Sequence, residues 1–287
     1  MLRKALFQIH SWAGIGVGLY VLVVSLTGSL LVFRQEYYAF FRPGSTLAPQ
    51  SGERMTVDAL TEAAERLYPG AQINRVIVRR RGPQQAADVY LERDGQSLHR
   101  LFDPYTGADL GDAEPPATRL FEQVVDLHDN LFAGRRGRLV NGVGALCLTL
   151  LCLSGAVIWW QGGKTWYRGL LLRWRVNWKR LNWDLHSALG FWSLAFIFMW
   201  AVSGVYLVFP EPFNQVVDFL QPPTEDAAVR AGDDALAWLA RLHFGRFAGL
   251  KTKMLWGTLG LVPPVLFITG GVIWWNRVIR RSIRQAE

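Results

Sequence analysis

The sequence is poor in cysteine and in charge, and each shortage narrows what the protein can be. Only two cysteines occur in 287 residues. Cys147 and Cys152 both lie in an apolar run, about 140° apart around a helix. A disulfide-stapled domain, a cysteine-ligated zinc or iron–sulfur site and a covalently attached c-type haem are therefore excluded. Charged residues make up 19% of the chain and apolar residues 51%. That is too little charge for an ordinary soluble protein and too much for one lying wholly in lipid. Part of the chain belongs in a membrane and part in water. The net charge of +8 would suit nucleic acid only if the basic residues gathered on a soluble face, and they do not. No nucleotide-binding Gly-x-Gly-x-x-Gly follows a strand, and no nucleophile–base pair or metal-spacing motif points to a hydrolase.

Long uncharged apolar runs are present four times: Trp12 to Phe33, Leu139 to Trp160, Leu185 to Phe209 and Met254 to Trp275. Each reaches the ~20 residues that cross a bilayer. None contains Asp, Glu, Lys or Arg to make an ion path, which argues against a metal transporter. The first run follows Arg3 and Lys4 but is too long for a secretory signal and has no small-x-small cleavage site, so it reads as an uncleaved anchor. Pro263 and Pro264 are expected to kink the fourth run in its middle.

Charge sets the orientation. With a cytoplasmic N-terminus, segments 1–11, 161–184 and 276–287 carry twelve of the 31 basic residues against two acidic ones, Asp184 and Glu287. The cations are Arg3, Lys4, Lys164, Arg168, Arg173, Arg175, Lys179, Arg180, Arg277, Arg280, Arg281 and Arg284. The rest of the chain then holds 19 basic and 21 acidic residues, a bias that puts both termini inside. Trp159, Trp160, Trp166, Trp174, Trp178, Trp183, Trp274 and Trp275 crowd the same boundary and read as interfacial anchors.

The expected organisation is a first span ending at 33, a small outer domain over 34–126, a juxtamembrane helix and second span over 127–160, and a cytoplasmic loop over 161–184. A third span over 185–209, an outer connector over 210–253, a fourth span over 254–275 and a tail over 276–287 follow. Within the outer domain, Thr56 to Tyr68 has the pattern of an amphipathic helix stopped by Pro69-Gly70. Strand-like runs cover Ile73 to Arg79, Asp88 to Glu92 and Ser97 to Phe102, with a hairpin signal at Asp94-Gly95.

The chain also repeats itself. His10-Ser11, Gly14 and the run Thr27-Gly28 to Phe33 return 176 residues later as His186-Ser187, Gly190 and Ser203-Gly204 to Phe209. Leu127-His128, Phe132-Ala133-Gly134, Gly142 and Ser154-Gly155 to Trp160 return after 115 residues as Leu242-His243, Phe247-Ala248-Gly249, Gly257 and Thr269-Gly270 to Trp275. The fold class is thus a mainly α membrane protein, four transmembrane helices as two duplicated hairpins, with a small α+β domain inserted between the first and second helices.

Four of the five histidines fall at matched positions. A pseudo-twofold axis pairs His10 with His186 near the inner surface and His128 with His243 near the outer one. Two imidazoles facing across one plane are what a bis-histidine haem requires. Gly14 and Gly190 lie one turn beyond His10 and His186, where a flat macrocycle approaches backbone closely. The glycines of the Ser/Thr-Gly pairs, Gly28, Gly155, Gly204 and Gly270, read as further haem slots, helix packing being the plainer role for such residues. Arg3 and Arg173 inside, and Arg135, Arg136, Arg241 and Arg246 outside, are candidates to contact haem propionates or an anionic chelate. Arg138, Lys251 and Lys253 add to the outer positive charge. His99 has no repeat partner and reads as an ordinary hairpin residue.

His10-Ser11-Trp12-Ala13-Gly14, Thr27-Gly28, the turn Phe102-Asp103-Pro104-Tyr105-Thr106-Gly107, Ser154-Gly155 with Trp159-Trp160, and the second copies together resemble the PepSY-associated transmembrane proteins. That family includes iron-regulated membrane proteins and ferrisiderophore reductases of the bacterial inner membrane. The resemblance covers nearly the whole chain. It implies a periplasmic PepSY-like domain over 34–126, four helices, and two b-type haems on His10, His186, His128 and His243 that pass electrons outward to a ferric siderophore or other ferric chelate. A quinol or a cytoplasmic reductase is the expected donor. The alternative is a non-enzymatic PepSY sensor or peptidase-regulating scaffold whose helices only anchor it.

Overall fold

The computed structural model describes residues 2–41, 52–78, 85–160, 166–222 and 230–280. Arg79 of the first expected strand, and Lys164, Arg281, Arg284 and Glu287 of the charge count, lie outside the described residues. The protein is mostly helical and divides into two compact units, one over 34–124 and the other formed by the chain to either side of it.

Among the described residues, four helices are long and apolar enough to cross a membrane: α1 (Leu2–Leu31), α5 (Gly134–Trp159), α6 (Trp178–Val208) and a fourth over Gly249–Ile279. Helices are the form such runs take in lipid, because every backbone polar group is satisfied within the segment. α1 packs on α5, and α6 closes the ring by packing on α5 and on the fourth helix, which returns to α1. All four extend past the apolar runs at one or both ends. α6 begins seven residues before the expected Leu185, because Asn177 caps it by accepting from the Arg180 N–H at 3.0 Å.

The fourth helix is interrupted in mid-span, where the prolines predict a kink. It is broken before the prolines, into α9 (Gly249–Leu259) and α10 (Val262–Trp274), with a turn at Gly260-Leu261 and a π turn over Trp275–Ile279. Pro263 and Pro264 have no N–H to offer the carbonyls four residues earlier. The chain therefore restarts with both prolines in the first turn of α10, where the missing donors cost nothing. Gly260 is required at the break, since a Cβ there would stand 2.3 Å from Ser29 Oγ of α1.

Short helices precede the second and fourth spans. α4 (Pro116–Asn130) carries His128 and α8 (Ala231–Phe244) carries His243. α4 turns into α5 through left-handed Leu131 and Phe132, at φ of 50° and 58°. α8 ends on left-handed Gly245. Both turns bring the histidine-bearing segment back against the helices. α7 (Pro210–Leu220) follows α6.

In the 34–124 unit, α2 (Arg34–Phe41) and α3 (Val57–Leu67) accompany an antiparallel sheet of β1 (Gln72–Ile77), β2 (Ala87–Arg93), β3 (Gln96–Phe102) and β4 (Asp109–Asp112), in order β1-β2-β3-β4. Thr56 caps α3 by accepting from the Ala59 N–H. Asp94 and Gly95 both have positive φ, as the two-residue hairpin between paired Arg93 and Gln96 demands. Leu60 and Ala64 of α3 meet Ala87, Val89, Leu91 and Phe102 of the sheet in one buried core. The sequence pattern misses two elements, α2 and β4. The first is a short polar-aromatic helix, and Asp109-Leu110-Gly111-Asp112 is too brief and turn-like to show alternation.

Candidate functional site

The four matched histidines lie in two pairs within the larger unit. His10 of α1 and His186 of α6 face one cavity of about 460 Å³. Its wall is largely apolar and includes Gly14, Gly190, Gly155, Gly270, Phe191 and Phe267. A Cβ at Gly14 would meet nothing within 4 Å, and one at Gly190 would touch only Leu266 Cδ2 at 3.8 Å. These two positions thus open the space beside the histidines. Trp159, Trp160 and Trp183 also line the cavity, so their role is not confined to anchoring at the interface.

His128 and His243 form the second pair, with ring centres 6.4 Å apart and planes inclined by 59°. A metal held by one nitrogen of each ring at about 2 Å would put the ring centres roughly 6 Å apart. The observed separation fits one iron between them. The surrounding protein strips water from both rings. Burial pushes the His243 imidazole down to about 4, with the neighbouring His128 adding to the effect. Burial likewise lowers His128, outweighing the nearby Asp129 carboxylate. Both are neutral at pH 7, the state in which imidazole ligates a metal.

Each histidine is held by the hydroxyl of a Ser/Thr-Gly pair on a neighbouring helix. Nδ1 lies 2.9 Å from Ser154 Oγ for His10, 3.0 Å from Thr27 Oγ1 for His128, 2.9 Å from Thr269 Oγ1 for His186 and 2.7 Å from Ser203 Oγ for His243. The adjoining glycines admit the rings. A Cβ at Gly28, Gly155 and Gly270 would lie 2.9, 3.3 and 3.2 Å from Cε1 of His128, His10 and His186. At Gly204 the first obstacle is Ala145 Cβ at 3.2 Å, with His243 Cε1 at 3.9 Å. Gly28, Gly155 and Gly270 therefore receive imidazole edges, Gly155 and Gly270 while also lining the cavity, and the hydroxyl beside each glycine is a site residue that the small-residue reading missed. The signal was present in the sequence, since a Ser or Thr precedes the glycine in all four helices.

Further contacts fix the second pair. Asn141 of α5 donates through Nδ2 to the His128 carbonyl at 2.6 Å, and Tyr20 of α1 donates to Asn141 Oδ1 at 2.6 Å. In the other half, Trp256 Nε1 donates to the Leu242 carbonyl at 2.6 Å, just before His243.

The candidate arginines divide. Arg3 donates to the Ile158 carbonyl at 3.1 Å and Arg246 to the Leu31 carbonyl at 2.6 Å, at the ends of α5 and α1. Arg138 does the same for Leu207 of α6 at 2.7 Å. These side chains satisfy the last carbonyls of helices and oppose the negative end of the helix dipole. Arg173 is engaged elsewhere too. Its Nε and Nη2 bind the buried Asp184 carboxylate at 2.9 and 3.1 Å, and Arg180 Nε meets the same group at 2.9 Å. Asp184 thus ties the loop to the helix two residues before His186. Arg241 lies over the Trp238 ring with its guanidinium carbon 5.3 Å from the centroid. Arg135, Arg136 and Lys251 are exposed, whereas Lys253 is buried and cannot serve on an outer charged face.

His99 belongs to the 34–124 unit, apart from the other four. Its ring stacks on Tyr90 at 4.1 Å, and its nitrogens meet Asp88 at 3.0 Å and Glu114 at 3.4 Å. Among the described residues, no group of three or more His, Cys, Asp or Glu side chains is arranged to hold a bare metal ion.

The Pseudomonas aeruginosa protein PA4219, described only as an uncharacterized protein, is 27% identical over 124 residues, which cover 37% of this chain and 30% of that protein. The match thus spans less than a third of that relative's length. The model of the PepSY-associated TM region matches residues 7–231 and 222–277, nearly the whole of the larger unit together with the insertion. This is a multi-pass membrane protein, and the chain belongs to the PepSY-associated transmembrane family.

Proposed function

We propose that this protein is a di-haem electron-transfer protein of the bacterial inner membrane that reduces a periplasmic ferric chelate, such as a ferric siderophore, and releases Fe(II). Family membership supports a membrane protein of the iron-regulated, haem-binding type. The observation that carries the reading is the facing of His128 and His243 at 6.4 Å, repeated by His10 of α1 and His186 of α6 across a cavity.

Haem, when bound, supplies a reversible one-electron Fe(III)/Fe(II) couple at each site. The protein's own part is positioning. The histidines of each pair come from different halves of the chain and would together hold one haem iron. His10 and Thr27, which marks the depth of the second pair, are seventeen residues apart on α1, about 25 Å of helix rise. Such a spacing suits electron transfer from one membrane face to the other. The Lys/Arg bias puts both termini inside and the 34–124 unit in the periplasm, so His128 and His243 form the delivering end. Exposed Arg135, Arg136 and Lys251 favour an anionic chelate there. One electron converts its Fe(III) to Fe(II), for which hard oxygen donors are poorer ligands. The electron comes from a quinol or a cytoplasmic reductase at the other end.

The test is an oxidised-minus-reduced spectrum of the purified protein with a haem-to-protein ratio. A ratio near two is expected. A colourless protein would favour the sensor or scaffold reading, and a reduced protein that no ferric chelate re-oxidises would remove the reductase assignment.

A further inference from the structure

The four hydroxyls have chemistry that the ligand assignment does not use. A hydroxyl carries one proton and two lone pairs. In each case the proton has an acceptor within its own helix. Thr27 Oγ1 donates to Val23 O at 2.8 Å, Ser154 Oγ to Leu151 O at 3.0 Å, Ser203 Oγ to Met199 O at 2.7 Å and Thr269 Oγ1 to Val265 O at 2.8 Å. Toward the histidine, each hydroxyl is left to accept. Nδ1 must then be the protonated nitrogen. For His128 this is independently required, because the Val24 carbonyl, which only accepts, lies 3.0 Å from the same Nδ1. A neutral imidazole protonated at Nδ1 has its lone pair on Nε2.

We infer that Thr27, Ser154, Ser203 and Thr269 are positioning residues that fix the Nδ1–H tautomer of His128, His10, His243 and His186, presenting Nε2 to the iron and raising its donor strength. The inference rests on the haem reading above. Each clamp is made within one half of the chain: α1 with α4 and α5, or α6 with α8 and α10. Each half therefore sets the tautomer and tilt of its own two rings, and a pair that could hold an iron is completed only where the halves meet. The glycine beside each hydroxyl belongs to the same device, because the ring edge enters the space its missing side chain leaves.

A hydrogen bond accepted from Nδ1–H gives the ring imidazolate character and favours ferric iron. Ser154→Ala should therefore weaken haem retention at the His10/His186 site by about 10- to 100-fold and raise the midpoint potential of that spectral component alone. Thr27→Ala should do the same at the His128/His243 site alone. Ser154→Thr and Thr27→Ser keep a hydroxyl and should restore the wild-type potentials. The untouched component in each variant reports on folding. Should an alanine variant fail to fold, Ser154→Cys and Thr27→Cys replace it: a thiol is a weak acceptor, so the potential of the affected site should still move upward. Unchanged potentials and haem affinity in folded Ala or Cys variants would overturn the inference, as would conservative variants that shift as far as the alanines. Wild-type protein without haem overturns the proposed function itself, a result the variants cannot mimic.

Discussion

Replacing Gly28 by alanine isolates the geometry of one site. The new Cβ would stand 2.9 Å from His128 Cε1, whereas carbon atoms rest at about 3.5–4.0 Å. The ring would have to withdraw by about 0.6 Å or more. It has little freedom to do so, since Nδ1 is bonded to Thr27 and Val24 and the residue's carbonyl is held by Asn141. Metal–ligand distances tolerate only about ±0.2 Å. Gly28→Ala should therefore remove the His128/His243 spectral component and spare the other, with an overpacking cost of about 1–3 kcal/mol. The distances also predict a ranking. Gly270→Ala and Gly155→Ala, at 3.2 and 3.3 Å, ask the ring to give far less, and Gly204→Ala meets Ala145 before His243. Gly16→Ala meets nothing within 4 Å and is the control. Haem per protein and thermal unfolding of the five variants are the assay. Full haem content and an unshifted spectrum in Gly28→Ala, or a larger loss in Gly204→Ala, would refute the reasoning.

Further expectations concern charge and orientation. Asp184→Ala leaves half-exposed Arg173 and Arg180 without their buried acceptor; a loss of about 1–3 kcal/mol should appear in denaturant titrations, together with perturbation of the His10/His186 component first. In the 34–124 unit, burial raises the Asp109 carboxyl, but hydrogen bonds from Arg100, Tyr68 and the Gly111 N–H overcome it and hold it below the usual range. A group depressed in the folded state contributes stability above its unfolded pKa of about 3.9, lost as pH falls through the folded value. Asp109→Asn should therefore flatten the acid limb of a pH–stability curve below about pH 4 and leave its neutral arm level, and an unaltered acid limb would count against the bond network. A cysteine at Asp94, with Cys147 and Cys152 replaced by serine, should react with an impermeant thiol reagent from the periplasmic side only; reaction solely from the cytoplasm would reverse the orientation. Neutralising Arg135, Arg136 and Lys251 to Gln should slow re-oxidation by an anionic ferric chelate about tenfold at low salt and less at high salt, with haem content intact.

What the sequence made legible was what repeats or alternates. Four apolar runs announced the spans, Asp94-Gly95 announced the hairpin, and the recurrence of His10 as His186 and of His128 as His243 drew attention to the residues that the structure places in two pairs. Contacts set by the third dimension were harder to read. The charge on Arg3, Arg173 and Arg246 was plain, but their partners, Ile158, Asp184 and Leu31, lie far along the chain or in a loop of no regular pattern. The glycines beside Ser154 and Thr27 were visible as small residues, yet what fills the notch depends on which ring the neighbouring helix turns toward it. Pro263 and Pro264 signalled a break, and its exact residue was settled by the approach of Gly260 to Ser29. Tyr20 and Asn141 carried no signal beyond being polar in an apolar setting.

The arginines at the helix ends bear on how the protein is made. Leu31 closes α1, but the guanidinium that satisfies its carbonyl belongs to Arg246, synthesised 215 residues later. Leu207 finds its donor in Arg138, from the earlier hairpin. The two halves therefore exchange one cap each, and neither hairpin, once inserted, is finished until the other arrives. Biogenesis on this plan is a reciprocal docking of two preassembled pieces. The chain should accordingly tolerate being cut between α5 and α6 and expressed as two polypeptides, each recovering its missing cap only from its counterpart.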